Sequence, residues 1–450
     1  MSRSAAPSSV TPTLAGLTPW QILRFFIPLA ASWVLMTAET PSISAAVARL
    51  PDAERMIAAL GIMMSLSVTI ESPVIMLLGT STALARNRQA YQVLLRYTRD
   101  LCLGLTALTA LIAFTPLFDV LLLRVMGIPG AIAEAVRPGL QIMLLWTAAI
   151  GWRRFKQGIL IRFGHTRYVG LGTGIRLVVS VGTAVALAVW GGITGVETAA
   201  WALMAGVLVE ALYAEWVSQR VIAKHLPAET EASEPPLTYN AVTRYHLPLA
   251  MTSLLVLLAQ PVIGAALART PNPERALAAW PLTFGVLLIS RSFGLALPEL
   301  VIAMLQTPAN YPAMRRFTLA LGTIAGVGLL LVVITPMGQW YYTGFIGVPL
   351  SLAQDALPGV LAGLPVPVLM VWASWERGLL MTHKHTTPLS VAMGLHILTL
   401  VTVLTIGVLL GLPGVPLAAA ALSLAMLVEA FYLHSQSRAA RQMSLAAMVS

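Results

Sequence analysis

The sequence predicts an all-α polytopic membrane protein whose twelve transmembrane helices form two parallel six-helix bundles. Three observations carry that prediction: an apolar composition, apolar runs of bilayer length, and an internal repeat. Of the 450 residues, 57% are hydrophobic and only 10% are charged, with a mean hydropathy of +0.81. A soluble chain of this size needs far more charge on its surface. Apolar stretches recur near the roughly 20 residues that a spanning helix requires. The segment "RFFIPLA" at 24–30 returns as "RYHLPLA" at 244–250, a shift of 220 residues.

That shift persists without gaps. Pro41 matches Pro261, Arg49 matches Arg269, and Glu54–Arg55 matches Glu274–Arg275. Gly127 and Pro129 match Gly347 and Pro349, Pro138–Gly139 matches Pro358–Gly359, and Trp152 matches Trp372. Gly158 matches Gly378, and His165–Thr166 matches His385–Thr386. Coincidences of Ala and Leu are common in such a chain; matched Pro, Trp, Arg and His at one shift are not. The expected halves are residues 1–222 and 241–450, joined by a cytoplasmic linker at 223–240 containing the acidic "LPAETEASEPPLTY".

In the first half the spans read 20–45, 57–83, 98–119, 137–163, 168–190 and 195–219. In the second they read 241–265, 277–303, 317–338, 357–382, 387–410 and 415–436. The first follows a polar stretch through Thr18 with no apolar leader, so no cleavable signal peptide is expected. The first and seventh contain matched prolines, Pro28 and Pro41 against Pro248 and Pro261. Proline removes a helix hydrogen bond and invites a kink, so Pro41 and Pro261 are candidate gating positions.

Orientation follows from the loop bases. One side carries Arg86, Arg88, Arg96, Arg99, Arg167, Arg220, Lys224, Arg315, Arg316, Lys384, Arg438 and Arg441; the other carries Arg49, Arg55, Arg124, Arg137, Arg269 and Arg275. The richer side is expected to be cytoplasmic, with both termini inside. Six spans per half give both halves the same orientation, as in parallel-repeat carriers. The formal charge of +10 thus reflects basic loops, and no nucleic-acid partner is expected. The Arg, Ala and Leu bias suits a GC-rich bacterial genome, hence a bacterial inner (cytoplasmic) membrane. The single cysteine, Cys102, excludes an intramolecular disulfide and a thiolate cluster.

Charges inside spans cost about 2.5–3.5 kcal/mol or more near the bilayer centre, so they mark cavities or partners. The fourth span carries Arg153, Arg154 and Lys156; Arg153 and Lys156 share a helix face and Arg154 points elsewhere. Its repeat mate carries Glu376 and Arg377. The second span has Glu71 and the eighth has Arg291 at the matched position. Glu39, Arg176, Glu210 and Glu429 lie in other spans. Three readings compete for these groups. The bases of the fourth span snorkel to headgroups; or Glu71 with Arg291, and Glu376 with a neighbouring base, lock the halves together. Otherwise Arg153, Arg154, Lys156, Arg291 and Arg377 face a cavity and bind an anion, arginine through two bonds. Glu39, beside Thr40–Pro41, reads as a proton or sodium site, or more simply as a hydrogen-bonded group in a helix interface. Glu71 and Glu376 complete the coupling or gating candidates. His165 and His385 read as surface residues, and His246 and His396 have no neighbour at metal-ligand spacing. No HExxH, GxxxxGK[ST], GxSxG or post-strand GxGxxG motif occurs, so neither an enzyme nor a cofactor is expected, beyond coupling to H+ or Na+.

The duplicated six-helix plan with a Pro-bearing first helix resembles the superfamily of MATE drug exporters and lipid-linked oligosaccharide flippases. "FKQGILIRFGHTR" at 155–167 is similar to the phenylalanine, "QGIL", arginine, glycine pattern ending the fourth MATE helix. A nearer resemblance is to the progressive ankylosis (ANK) family, through "LRFFIPLA" (23–30), the helix-one carboxylate Glu39, and "MIAALGIMMSLSVTIESPV" (56–74). "FIGVPLSLAQDALPGVLAGLPVPV" (345–368) and "GLLMTHKHT" (378–386) are similar to it too. The resemblance implies an exporter with a V-shaped pair of bundles around a central cleft. Its ANK branch implies small anions such as pyrophosphate, citrate or nucleotides; its MATE branch implies cationic drugs exchanged for protons or sodium. The expectation is therefore a monomeric secondary carrier that exports a small, preferably anionic solute. A multidrug cation antiporter, a glycan-lipid flippase and a non-transporting scaffold stand as alternatives.

Overall fold

The computed structural model describes residues 17–226, 236–305, 307–382 and 387–438. The middle of the expected linker, together with Lys384, His385 and Arg441, lies outside the described residues. Among those described there are helices and no strands.

Helix α1 (Pro19–Val47) starts on a capping box: the Thr18 hydroxyl accepts from the Gln21 amide at 3.4 Å, and the Thr18 amide donates to Gln21 Oε1 at 2.9 Å. Helices α2 (Ala53–Ile75) and α3 (Leu77–Leu84) return almost collinearly, and α4 (Arg88–Phe114) is capped by Asn87. A short turn, α5 (Leu117–Asp119), leads into one π-helical turn, Val120–Val125. Then come α6 (Gly130–Ile142), α7 (Trp146–Arg162), α8 (Thr166–Trp190) and α9 (Gly195–His225). The same order recurs from α10 (Tyr239–Leu267), through α11 (Pro273–Leu295), α12 (Leu297–Met304) and α13 (Tyr311–Ile334). It continues through α14 (Met337–Trp340), a second π turn at Tyr341–Ile346, α15 (Leu350–Ala362), α16 (Pro365–Thr382), α17 (Thr387–Leu409) and α18 (Gly414–Gln436). Chain direction therefore defines a linker end, where α9 stops and α10 starts, and a far end holding both π turns.

Among the described residues, ten helices are long and apolar enough to cross a membrane, or eleven when α15 and α16, bent by 42°, count as one. The fourth expected span, 137–163, is not among them. A 3-10 turn, Met143–Leu145, divides it, and Arg153, Arg154, Lys156 and Arg162 fall in the 17 residues of α7. The break moves its start to Gly130, earlier than expected. Several other helices also begin earlier, because their basic first turns are helical: α4 starts at Arg88 and α13 at Tyr311.

Packing ties the two sets of helices together. One apolar core runs through both, including Ile57, Met63, Val196, Ile263, Leu287 and Val360. The first turns of α1 cross over: Ile22, Phe26 and Ala30 pack with Leu297, Leu300, Tyr311, Met314 and Trp375. In return, His246 near the start of α10 meets Thr80 Oγ1 at 2.8 Å and the Pro73 carbonyl at 3.0 Å. Two repeated glycines are explained by close helix crossings. A Cβ on Gly158 would lie 2.4 Å from the Leu78 carbonyl, and one on Gly378 would lie 2.7 Å from Val301 Cβ.

Candidate functional site

Charged side chains collect inside each set of helices, where lipid cannot solvate them. In the first, α9 supplies Glu210, fully buried. Its carboxylate accepts from Arg153 Nη1 of α7 at 2.5 Å and from Gln157 Nε2 at 3.0 Å, and Arg176 Nη1 of α8 lies 3.8 Å away. Arg176 also forms a two-bond pair with Glu39 of α1, its Nε donating to Oε1 at 3.0 Å, while Ser180 Oγ donates to the same oxygen at 2.7 Å. Such forks suit a guanidinium facing a carboxylate. Glu71 of α2 accepts from the Trp146 indole and has no base within ion-pair distance among the described residues.

Nearer the linker end, Lys156 is 1% exposed. Its ammonium lies 3.0 Å from Glu215 Oε2, donates to the Tyr91 hydroxyl at 2.8 Å, and faces the rings of Tyr91, Trp152 and Phe155. The Trp152 indole donates to Glu215 at 2.8 Å.

The second set repeats this plan with different charges. Glu429 of α18 bonds Arg377 of α16 and, at 2.8 Å, His396 Nδ1 of α17. The constant shift pairs His396 with Arg176, while one residue fewer pairs Glu429 with Glu210. In each half, then, a carboxylate of the last helix is held by cationic or imidazole groups from two preceding helices. Closer to the linker end the polarity inverts. Glu376 takes the place of Lys156, and His434 takes the place of Glu215. His434 Nδ1 meets Glu376 Oε1 at 2.6 Å, and Ser437 and Trp372 also donate to that carboxylate.

These contacts sort the expected site residues. Snorkelling fails for Arg153 and Lys156, which are buried and paired inside the first set. Glu71 bonds Trp146 instead of Arg291, and Glu376 bonds His434 and Ser437 of the second half. Arg153, Lys156 and Arg377 are already engaged by carboxylates. Arg154 and Arg291 differ. Neither has an ion pair among the described residues, and each keeps a buried Nε without a hydrogen-bond partner, a feature that the paired Arg153 shares. Arg291 only lies over the Phe284 ring, 5.5 Å from its centroid. Pro41 lines a narrow crevice at the far end with Pro281, Gly285, Tyr341 and Ile346, and Pro261 lies inside α10. No group of three His, Cys, Asp or Glu among the described residues is arranged to hold a metal ion. Sequence reading missed Glu215, His434 and Ser180. A one-residue slip in the repeat before the last span would have aligned Glu215 with His434.

Fold and site together define a class: a helical bundle of two repeated halves, each with charged side chains inside it. No family model matches the sequence, and no curated protein matches it. Solved structures do. The chain is similar over 93% of its length to 96% of an inward-facing multidrug resistance MATE family transporter of the MOP superfamily, with TM-score 0.72 and 14% identity. It is similar over 96% of its length to the whole of a MOP superfamily transporter from Pyrococcus furiosus Vc1 (DSM3638), with TM-score 0.65 and 18% identity; that protein is described as having a binding pocket of reverse polarity that suggests a different function. An outward-facing MATE family transporter matches over 98% of this chain and 99% of its own, with TM-score 0.63 and 17% identity. The likeness establishes the fold and gives no support to the nearer resemblance to the ankylosis family.

Proposed function

We propose that this chain is a secondary carrier that moves a small organic or phosphate-bearing anion by alternating access, with Arg154 and Arg291 as its anion hooks. One observation carries the reading. The other bases deep inside the helices, Arg153, Lys156, Arg176 and Arg377, each have a carboxylate partner, whereas these two guanidiniums, one per half, have none among the described residues. A buried cation without a counter-ion is costly, and a charged cargo removes that cost when it binds. Glu71, the spanning carboxylate of the first half without a base, is the coupling candidate. A proton or sodium ion there strengthens the field of the neighbouring bases toward an anion. Arg153, Lys156 and Arg377, with Glu39 and Glu376, act as the frame that holds the helices around those groups. The segments resembling ankylosis proteins support the choice of anion and the outward direction. The two halves at 1–222 and 241–450, a monomer in the bacterial inner membrane and cytoplasmic termini complete the reading.

The test is efflux of labelled citrate, pyrophosphate and nucleotides from proteoliposomes. Removing one charge-assisted contact of about 1.5–3 kcal/mol lowers affinity by roughly ten- to a hundredfold. Arg154→Gln and Arg291→Gln should each raise the half-saturating anion concentration by about that factor. Unchanged anion transport in both variants refutes the hooks. Transport of organic cations alone favours a multidrug antiporter, and no transport of either favours a scaffold.

A further inference from the structure

The geometry points to a pair of arginine latches, Arg49 and Arg269, that hold the far end of the molecule shut. The inference rests on the carrier reading, because only a protein that opens there has use for a latch.

Each arginine follows the last turn of a repeat-matched helix and reaches across to the other half. Arg49, after α1, donates from Nη1 to the Ile346 carbonyl at 2.9 Å and from Nη2 to the Phe345 carbonyl at 3.1 Å. Arg269, after α10, donates from Nη1 to the Met126 carbonyl and from Nη2 to the Val125 carbonyl, both at 2.6 Å. Each also ties back to its own helix, at the Ala45 and Ala265 carbonyls. The acceptors sit where the two π turns finish: Val125 ends the first and Met126 follows it, and Phe345 and Ile346 end the second. Carbonyls ending a helix are short of donors and carry partial negative charge, so a forked cation suits them.

The seat is as specific as the hook. Gly127 lies two residues past the first π turn and Gly347 directly follows the second; their φ values of +72° and +88° favour glycine. A Cβ there would lie 3.4 Å from the Arg269 guanidinium carbon and 3.3 Å from that of Arg49, respectively. Arginine and glycine are therefore matched at the 220-residue shift because each arginine closes on the other half's glycine turn. Two equal contacts across an internal twofold resist separation of the halves at this end more than either alone. Opening there breaks all four cross-half bonds and leaves the carbonyls to water, which accepts the exchange at modest cost. The latch is thus firm when closed and reversible.

The experiment reads the far end directly. Spin labels go on Glu134→Cys and Gln354→Cys, exposed repeat mates at the starts of α6 and α15, in a Cys102→Ser background, in lipid nanodiscs without cargo. The parent is expected to give one short distance. Arg49→Gln with Arg269→Gln is expected to add a longer-distance population, each single variant a smaller one, and Arg275→Gln none. Arg275 is the control because its ion pair, to Asp355 at 3.1 Å, stays within the second half. Distances unchanged in the double and single variants overturn the latch, whether or not anions are transported. A shifted distance together with transport of neither anions nor cations overturns the carrier reading and leaves the latch standing.

Discussion

At the scale of single residues, the interior is organised by pairing. Arg153 and Glu210 are both nearly out of reach of water. Removing one partner of such a pair costs about 3–5 kcal/mol, because the other charge stays buried. Arg153→Met should therefore lower the thermal unfolding midpoint sharply in detergent, and Arg153→Met with Glu210→Leu should recover most of it. Arg291→Met should leave that midpoint unchanged or raise it, since no partner is stranded. Sequence reading marked each of these charges because an Arg in an apolar run is conspicuous, although α7, which carries Arg153, is not among the helices long and apolar enough to cross a membrane. Which were already satisfied was not legible. Glu210 lies 57 residues from Arg153, and their meeting depends on how α7 and α9 cross.

At the scale of elements, glycine decides how closely helices cross. The added Cβ at Gly158 would also fall 1.9 Å from Ser81 Oγ, so α7 cannot keep its seat against α3. Gly158→Ala should destabilise by about 1–3 kcal/mol through overpacking. Gly174→Ala, in α8 with nothing within 4 Å, should be neutral or slightly stabilising. Thermal unfolding of the two variants side by side checks the contrast. The repeat made Gly158 and Gly378 visible as a matched pair, and the structure supplies the reason for the match. The break in the fourth span was not visible: "LQIMLLWTAAIG" reads as one apolar run, and neither Pro nor Gly marks the 3-10 turn at Met143–Leu145.

For the whole molecule, the apolar count and the 220-residue shift were enough to expect a duplicated helical bundle, and the solved MATE structures share that fold. The exchange of first helices was not readable, because the apolar face of α1 carries no label for which half it should meet. It has a testable result. A chain cut within 227–235 should yield two pieces that co-purify when made together, with neither accumulating alone. A half that accumulates alone as a stable, monodisperse protein would contradict that exchange.

The crossing of α1 also bears on biogenesis. The segment made first has its partners, Leu297 to Trp375, among those made late. At roughly 5–20 residues per second, ribosomal synthesis leaves Ile22 and Phe26 waiting roughly twenty to seventy seconds before their seat is complete. The insertion machinery must shelter that first segment throughout, and a prematurely terminated product would present it to the membrane as an unmated surface for quality-control proteases to recognise.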